Sequence, residues 1–240
     1  MASIAVVMSL IATLGGCSDE VVCGDEIPPY ISARVEQTAA SRAGSTYVEV
    51  HCVSDPLPGQ LVVSVTGRQL PEAVEAPDRP GLLTSLADTQ VIWQPGINCV
   101  LEVTTGTGIS SATEPVPEAV AVTAPDTVEL DEDLTLSWTE SGDADYYLVV
   151  GAVDGTADEQ SIDIAVDQPS ITFEAGEIAT AGLFSGRVWA VAGPFPQSGS
   201  TGNIEGEGWG YLSVLYRNHT SEFEVTIGDT AAIGTRARDR

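Results

Sequence analysis

The stretch Leu134-Thr135-Leu136-Ser137-Trp138 decides the fold, because apolar and polar side chains alternate along it without interruption. Successive side chains of a β-strand point to opposite faces, so this pattern predicts a strand that buries both leucines and the tryptophan. A second apolar segment, 146–150, follows after Gly142-Asp143-Ala144-Asp145, which is typical of a turn. Two short strands joined in this way predict part of a β-sheet.

Similar short apolar segments recur along the whole chain, separated by turns that contain Gly, Pro and Asp. They predict further strands at 31–37, 47–53, 61–65, 89–93, 97–103, 119–123, 162–166, 171–173, 186–191, 211–216 and 222–227. Two of these segments align apolar residues on one face, namely Val48, Val50 and Cys52 in the first and Ile97, Cys99, Leu101 and Val103 in the second. The pattern predicts an all-β protein.

Composition limits the partners of the chain. Hydrophobic residues make up 43% of the 240 residues, which is enough for a real core, but the formal net charge is −26 and all nine cations are arginine. The charge is −5 over residues 27–117 and −18 over 118–228. Binding of nucleic acid and adhesion to anionic lipid both require Lys and Arg, so we expect neither. A hydrated surface, a cationic partner, divalent ions or a salty habitat are all compatible with this charge.

The N-terminal residues 1–16 carry no charged side chain, and 4–14 are mostly apolar. This run is shorter than the ~20 residues of a membrane-spanning helix and suits a secretory signal. Its end, Leu14-Gly15-Gly16-Cys17, resembles the lipobox of bacterial lipoproteins, although no Lys or Arg precedes the run. The polar and acidic composition of residues 17–28 predicts a tether. The resemblance implies a signal peptide over 1–16 and a diacylglycerol on Cys17. It places the protein at the bacterial outer membrane or cell surface, with the periplasmic face as an alternative.

Two segments of the first half resemble strands of the bacterial immunoglobulin-like domains found in S-layer proteins. Residues 45–57 are similar to an early strand of that family, and 93–103 are similar to a later strand that follows a proline-containing turn. The resemblance covers 29–105 and implies an immunoglobulin-like sandwich. Cys52 and Cys99 stand where the family has core aromatics on facing strands, which implies a disulfide between them. Cys23 would then be free or cross-linked to another chain.

The second half resembles fibronectin type III domains. Leu-x-Trp ending at Trp138 is followed by Ala-x-x-Tyr-x-Val starting at Ala144, and 186–191 is similar to a later strand of that family, with Phe184 near its usual tyrosine. The resemblance covers 118–228 and gives Trp138 the role of the core tryptophan. The chain departs from the family in a long Gly-rich insertion over 197–209.

Together these features predict two tandem immunoglobulin-like β-sandwiches after an N-terminal lipoprotein signal peptide. The immunoglobulin-like sandwich would occupy 29–105, a linker 106–117, the fibronectin type III-like sandwich 118–228, and a flexible tail 229–240. Part of the linker could instead pair as the last strand of the first sandwich. The arginines of the tail could fold back onto the acidic second half.

The sequence offers no catalytic set. It contains no G-x-S-x-G motif, and neither His51 nor His219 lies in a catalytic motif. Gly206-Glu207-Gly208-Trp209-Gly210 lacks the spacing of a phosphate-binding loop, and no paired C-x-x-C suggests a zinc site. We therefore expect a non-enzymatic protein without a resident cofactor.

Acidic residues in turns leave calcium binding open as an alternative, because hard cations bind several oxygen ligands. The candidate groups are Asp131-Glu132-Asp133, Asp143 with Asp145, and Asp158-Glu159. None matches the spacing of an EF-hand loop, so solvated turns are the simpler interpretation.

Phe195, Trp209 and Tyr211 lie in or beside the Gly-rich insertion. Exposed aromatic side chains at the ends of sandwiches can bind sugars or peptides, whereas a buried Trp209 would only cover the open end of the sandwich. We expect a non-enzymatic surface lipoprotein that acts as an adhesion, scaffolding or protein-interaction module. The alternative is a carbohydrate-binding accessory lipoprotein that uses these three aromatics. The partner would be an unknown protein or glycan.

Overall fold

The computed structural model describes residues 29–38, 45–51, 62–70, 74–75, 82–86, 94–104, 108–154, 160–194 and 202–228. Within these ranges the chain forms eighteen β-strands and one short 3-10 helix, so the all-β prediction is confirmed. None of the described ranges contains a helix long and apolar enough to span a membrane.

Most predicted segments that the structure describes overlap a strand. The first half contributes β1 Tyr30–Thr38, β2 Ser45–His51, β3 Val62–Val65, β4 Arg68–Gln69, β5 Val74–Glu75, β6 Leu82–Leu86, β7 Asn98–Thr104 and β8 Ile109–Pro115. The second half contributes β9 Val122–Thr123, β10 Thr127–Glu129, β11 Leu134–Trp138, β12 Tyr146–Asp154, β13 Gln160–Val166, β14 Ser170–Phe173, β15 Gly182–Ala192, β16 Glu205–Gly206, β17 Trp209–Arg217 and β18 Glu222–Gly228, with the 3-10 helix His219–Ser221 before β18. Strands β4, β5, β6, β10 and β16 were not predicted. The strand predicted at 89–93 lies outside the described residues.

The first half forms a sandwich of two sheets. One sheet has the order β1-β2-β6-β5 and the other has β8-β7-β3-β4. These orders correspond to the A-B-E-D and G-F-C sheets of an immunoglobulin fold, with β4 added at one edge. Alternate residues of the strands fill the space between the sheets, and Val48, Val50, Leu101 and Val103 are all buried there. The alternation in the sequence therefore predicted this core correctly.

Ile97 is an exception to that pattern. It was predicted to lie on the same face as Leu101, but 46% of it is exposed. The reason is local: β7 begins at Asn98, directly after a turn in which Gly96 has a φ of +78°. Ile97 thus belongs to the turn rather than to the strand.

The second half forms a sandwich of its own. Strands β14-β11-β9 make one sheet, and β13-β12-β15-β18 face them. Leu134, Leu136 and Trp138 point into this core as predicted, and the Trp138 ring packs edge-on against Tyr147 at 5.5 Å between centroids. Phe184 is fully buried at the centre of the same core.

Strand β17 was predicted to be one of the last strands of the second sandwich, and the structure corrects this. It pairs in parallel with β1 over nine residue pairs, and its inward-facing Leu212, Val214 and Tyr216 belong to the first core. Near its C-terminal end, β17 also pairs on its other edge with Ala190–Ala192 of β15. One sheet therefore runs through both sandwiches in the described part of the chain, and the insertion between β15 and β18 joins them.

Most of the predicted linker is also a strand. Residues 109–115 form β8, which pairs along its whole length with β7 and buries Ser110 and Ala112. The linker prediction over 106–117 is wrong for this segment, and the alternative of a last strand of the first sandwich is confirmed. The Gly, Ser and Thr content indicated a linker, but the period-two burial of a strand prevails.

Cys99 is a free cysteine that is completely buried in the first core. The structure does not contain the predicted disulfide with Cys52, which itself lies outside the described residues, just after the end of β2. Cys99 instead fills core volume as a small apolar side chain. Burial raises the pKa of its thiol to about 12, so the thiol is unreactive at neutral pH.

Candidate functional site

Three aromatic side chains, Tyr30, Trp209 and Tyr211, gather where β1 and β17 begin. Because these strands are parallel, their first residues lie side by side, with Tyr30 paired to Trp209 and Ser32 paired to Tyr211. Ile31 and Leu212, which alternate with these residues, are buried in the first core. The three aromatics therefore lie on the outer face of the sheet, and we call this group the aromatic ledge.

Trp209 is the exposed member of the aromatic ledge, with 53% of the residue accessible. Its ring lies 4.6 Å from that of Tyr30 at an interplanar angle of 57°, and the Tyr30 and Tyr211 rings are 6.4 Å apart at 74°. The Tyr30 ring is thus tilted against each of the other two rings rather than coplanar with them. The interpretation of Trp209 as a cover over the end of a sandwich is wrong, because so much of the residue faces solvent.

The backbone before Trp209 is fixed to the first sandwich. The Gly208 amide donates to the Ser110 hydroxyl at 2.7 Å, and the Trp209 amide donates to the Pro29 carbonyl at 3.0 Å. Gly208 is buried, and a Cβ atom there would come within 2.9 Å of Ile31 Cδ1. Only glycine allows this approach without displacement of neighbours, and the approach sets the position of Trp209.

Asn203 clamps the hairpin that carries the aromatic ledge. Its side-chain oxygen accepts from the Leu212 amide at 2.8 Å, and its side-chain nitrogen donates to the Leu212 carbonyl at 2.9 Å. The same nitrogen donates to Glu114 Oε1 at 2.6 Å, which ties the hairpin to β8. Strand β16 adds two residue pairs to β8 beside this clamp. The hairpin thus contacts both sheets of the first sandwich.

Two ionisable groups beside these elements have shifted pKa values. Burial raises the pKa of the Tyr30 phenol, and Tyr211 and Glu49 add to this rise. Burial also raises the pKa of the Glu114 carboxyl, the Asn203 hydrogen bond lowers it, and the charge of Asp145 raises it again. Tyr30 therefore stays a neutral hydrogen-bonding group, whereas ionised Glu114 destabilises the fold.

The shift on Glu114 predicts a pH-dependent effect of Glu114→Gln. A carboxyl whose pKa is raised by folding holds its proton more tightly in the folded state, so stability falls as pH rises through the folded pKa. The amide can still accept from Asn203 without carrying charge. We expect a rise in Tm of roughly 1–3 °C at pH 7, since the group is only half-buried. The rise should shrink towards pH 4, where both proteins are uncharged at this position.

Glu118→Gln is the matched control, because Glu118 is exposed and its replacement removes one negative charge equally well. Thermal unfolding of the three proteins across this pH range separates a local effect from relief of the overall charge of −26. Equal Tm changes in both variants at every pH would contradict the role given to Glu114.

The other predicted site residues are only partly described. Trp209 and Tyr211 come together as expected, whereas Phe195 lies outside the described residues. Tyr30 was missed, because it meets Trp209 only through the long-range pairing of β1 with β17. A tyrosine at the start of the first strand was the one available signal.

The acidic turns act locally where they are described. Asp133 Oδ1 accepts from the Ala175 amide at 2.9 Å, and Asp145 Oδ2 accepts from the Gly193 amide at 2.7 Å. Among the described residues, no three His, Cys, Asp or Glu side chains form a cluster that could hold a metal ion. Asp158-Glu159 lies outside those residues, and calcium binding stays a prediction.

No family model matches the chain, and no curated protein matches it. Among solved structures, the chicken contactin CNTN1 FN1–FN3 domains are 12% identical with a TM-score of 0.24, covering 80% of this chain and 66% of that one. Murine CEACAM1b is 10% identical with a TM-score of 0.26, covering 83% and 99%. The Bacteroides ovatus mixed-linkage glucan utilization locus protein SGBP-B, in complex with a mixed-linkage heptasaccharide, is 10% identical with a TM-score of 0.25, covering 84% and 60%. Because these identities and TM-scores are low, we assign the fold from the sheet topology of this chain and not from any of these structures.

Proposed function

We propose that this chain is a non-enzymatic binding module of the bacterial cell surface, anchored by lipid on Cys17, and that the aromatic ledge is its binding face. The observation that carries the proposal is the exposure of Trp209, at 53%, beside two further aromatic rings. Large aromatic side chains contribute much of the binding energy at protein surfaces when a ligand buries them. A large aromatic side chain that is exposed in a fixed position contributes little to the stability of the fold, but it is well placed to bind a ligand.

The resemblance of residues 14–17 to a lipobox supports attachment to the membrane, and the length of the tether is compatible with it. The twelve residues 18–29 separate Cys17 from the start of β1 at Tyr30. Twelve residues span at most about 40 Å when fully extended. The aromatic ledge would thus lie at the anchored end of the protein, within reach of polymers close to the membrane.

Two kinds of partner remain for this binding module. Adhesion, scaffolding or protein interaction suits tandem sandwiches in general, whereas carbohydrate binding suits exposed aromatics in particular. The exposure of Trp209 favours the second candidate, since burial would have excluded it.

The test uses cells that express the full chain and are applied to surfaces coated with purified matrix proteins or with polysaccharides. We expect adhesion above that of cells without the chain. Trp209→Ala should abolish it, and Leu183→Ala should leave it unchanged. Leu183 is a suitable control, because it is also an exposed apolar residue but lies on β15 opposite β18, in the second sandwich.

Cys17→Ser tests the anchor in the same cells. Mass spectrometry of the membrane fraction should show the wild-type chain starting at Cys17 with added diacylglycerol. The serine variant should carry no lipid and should not support adhesion. It should either leave the membrane fraction after cleavage or keep its uncleaved leader. An unmodified Cys17 in purified membranes would contradict the anchor, and adhesion that survives Trp209→Ala would contradict the binding face.

A further inference from the structure

We infer that the aromatic ledge binds a short stretch of a neutral polysaccharide chain. This inference rests on the proposed function and names the class of its ligand. The size of the ledge, the chemistry around it and the charge of the chain each support it independently.

The area of the described aromatic ledge is closer to that of a small-ligand site than to that of a standard protein interface. Trp209 and Tyr211 are two residues apart on β17, about 7 Å, and Tyr30 lies one strand away, about 5 Å. A fully exposed aromatic side chain offers about 150–250 Å², and two of these three are partly buried. The group therefore offers a few hundred Å² at most, well below the ~800 Å² per partner of a standard protein interface. A small ligand fits this area better.

The exposed Trp209 ring suits a sugar ring. Coplanar Trp209 and Tyr211 rings would favour sugar binding most, but the interplanar angles that the structure defines are those to Tyr30, 57° for Trp209 and 74° for Tyr211. The exposed face of Trp209 is therefore the part of the ledge that carries the inference. The negative faces of aromatic rings attract the C–H groups on the faces of pyranoses. Sugar hydroxyls also need hydrogen-bonding partners. Ser32 of β1 and Glu49 of β2 are paired across their strands and lie next to Tyr211, so polar side chains are present beside the rings. The ledge thus combines apolar faces with polar groups at its side.

Charge decides between neutral and acidic glycans. Glu49 is paired with Ser32, which is in turn paired with Tyr211, so Glu49 lies beside the ledge. Its negative charge helps to raise the pKa of the Tyr30 phenol. Arg34, the arginine of β1, forms an ion pair with Glu36. Residues 27–117 carry a net charge of −5 and the whole chain −26, so we expect the ledge to repel uronic acids and phosphate-bearing polymers. A neutral chain meets no such repulsion.

The experiment uses the purified full chain without its leader and four neutral oligosaccharides, namely cellohexaose, laminarihexaose, xylohexaose and mannohexaose. Oligogalacturonate serves as the acidic comparison, and phosphatidylcholine vesicles test a lipid surface. Isothermal titration calorimetry gives the affinity. Because the chain has four tryptophans, burial of Trp209 is reported by the blue shift of tryptophan fluorescence that the wild type shows and Trp209→Phe does not. We expect at least one neutral oligosaccharide to bind and oligogalacturonate not to bind.

Trp209→Ala should weaken neutral-sugar binding about tenfold or more, as loss of a central aromatic does at a binding site. Trp209→Phe should restore part of the affinity, and Leu183→Ala should change nothing. Failure of all four neutral sugars, or binding that Trp209→Ala leaves intact, would overturn the inference. Adhesion of cells to matrix proteins through Trp209, or vesicle binding through it, would overturn the sugar ligand and leave the binding module standing. If Trp209→Ala changed binding to none of the sugars, proteins or vesicles, both the sugar ligand and the proposed binding face would be contradicted.

Discussion

Replacement of Gly210 by alanine should destabilise the protein by about 3 kcal/mol or more, among the largest effects of any single substitution. Gly210 has a φ of +137°, a conformation that other residues adopt only with strain. A Cβ atom there would also overlap the Ile31 carbonyl oxygen. That oxygen belongs to β1, so the clash cannot be relieved by rotating a side chain. The strand pairing that carries β17 would have to open.

Gly142→Ala is the control for this prediction. Gly142 lies in an exposed turn, and a Cβ atom there would meet nothing within 4 Å. Urea unfolding followed by circular dichroism should show a large drop in midpoint for Gly210→Ala and almost none for Gly142→Ala. Similar midpoints for the two variants would mean that the β1–β17 pairing contributes little to stability. Loss of the aromatic ledge should accompany the drop, because Trp209 is held next to Gly210.

Local sequence predicted the local structure well. The alternation in 134–138 and 97–103 places one face of β11 and of β7 in a core, and burial confirms this for every residue of the two patterns except Ile97. Period-two burial depends only on neighbours along the strand, which is why a single sequence shows it. The alternation predicted the strands, whereas the two sandwiches were predicted from the resemblance to immunoglobulin-like and fibronectin type III domains.

Strand pairing across the chain could not be predicted in the same way. The insertion at 197–209 was recognised as a departure from the fibronectin type III pattern, but nothing in its glycines indicates that β16 and β17 join the two sheets of the first sandwich. A parallel neighbour of β1 can come from any distant segment with an apolar face. The aromatic ledge depends on this pairing, so only two of its three members could be named from the sequence.

The continuous sheet predicts that the two cores unfold together. Leu101 is fully buried in the first core, and Phe184 is fully buried in the second, between Phe173 and Phe223 at 5.8 and 5.1 Å. Leu101→Ala should cost about 2–5 kcal/mol, and Phe184→Ala about 3–5 kcal/mol. Because β17 packs in the first core and pairs with β15 of the second, we expect each variant to lower the midpoint of one shared transition.

Independent domains, as the predicted boundary near residue 118 implies, would behave differently. Each variant would then shift only one of two transitions and leave the other at its wild-type position. Differential scanning calorimetry distinguishes the two cases directly, and the ratio of calorimetric to van't Hoff enthalpy gives the size of the cooperative unit. Two separate transitions would show that the few pairs between β15 and β17 are too weak to couple the sandwiches. A single transition would mean that the hairpin bearing Trp209 is held in place by both cores, so that a ligand bound at the aromatic ledge stabilises the whole chain.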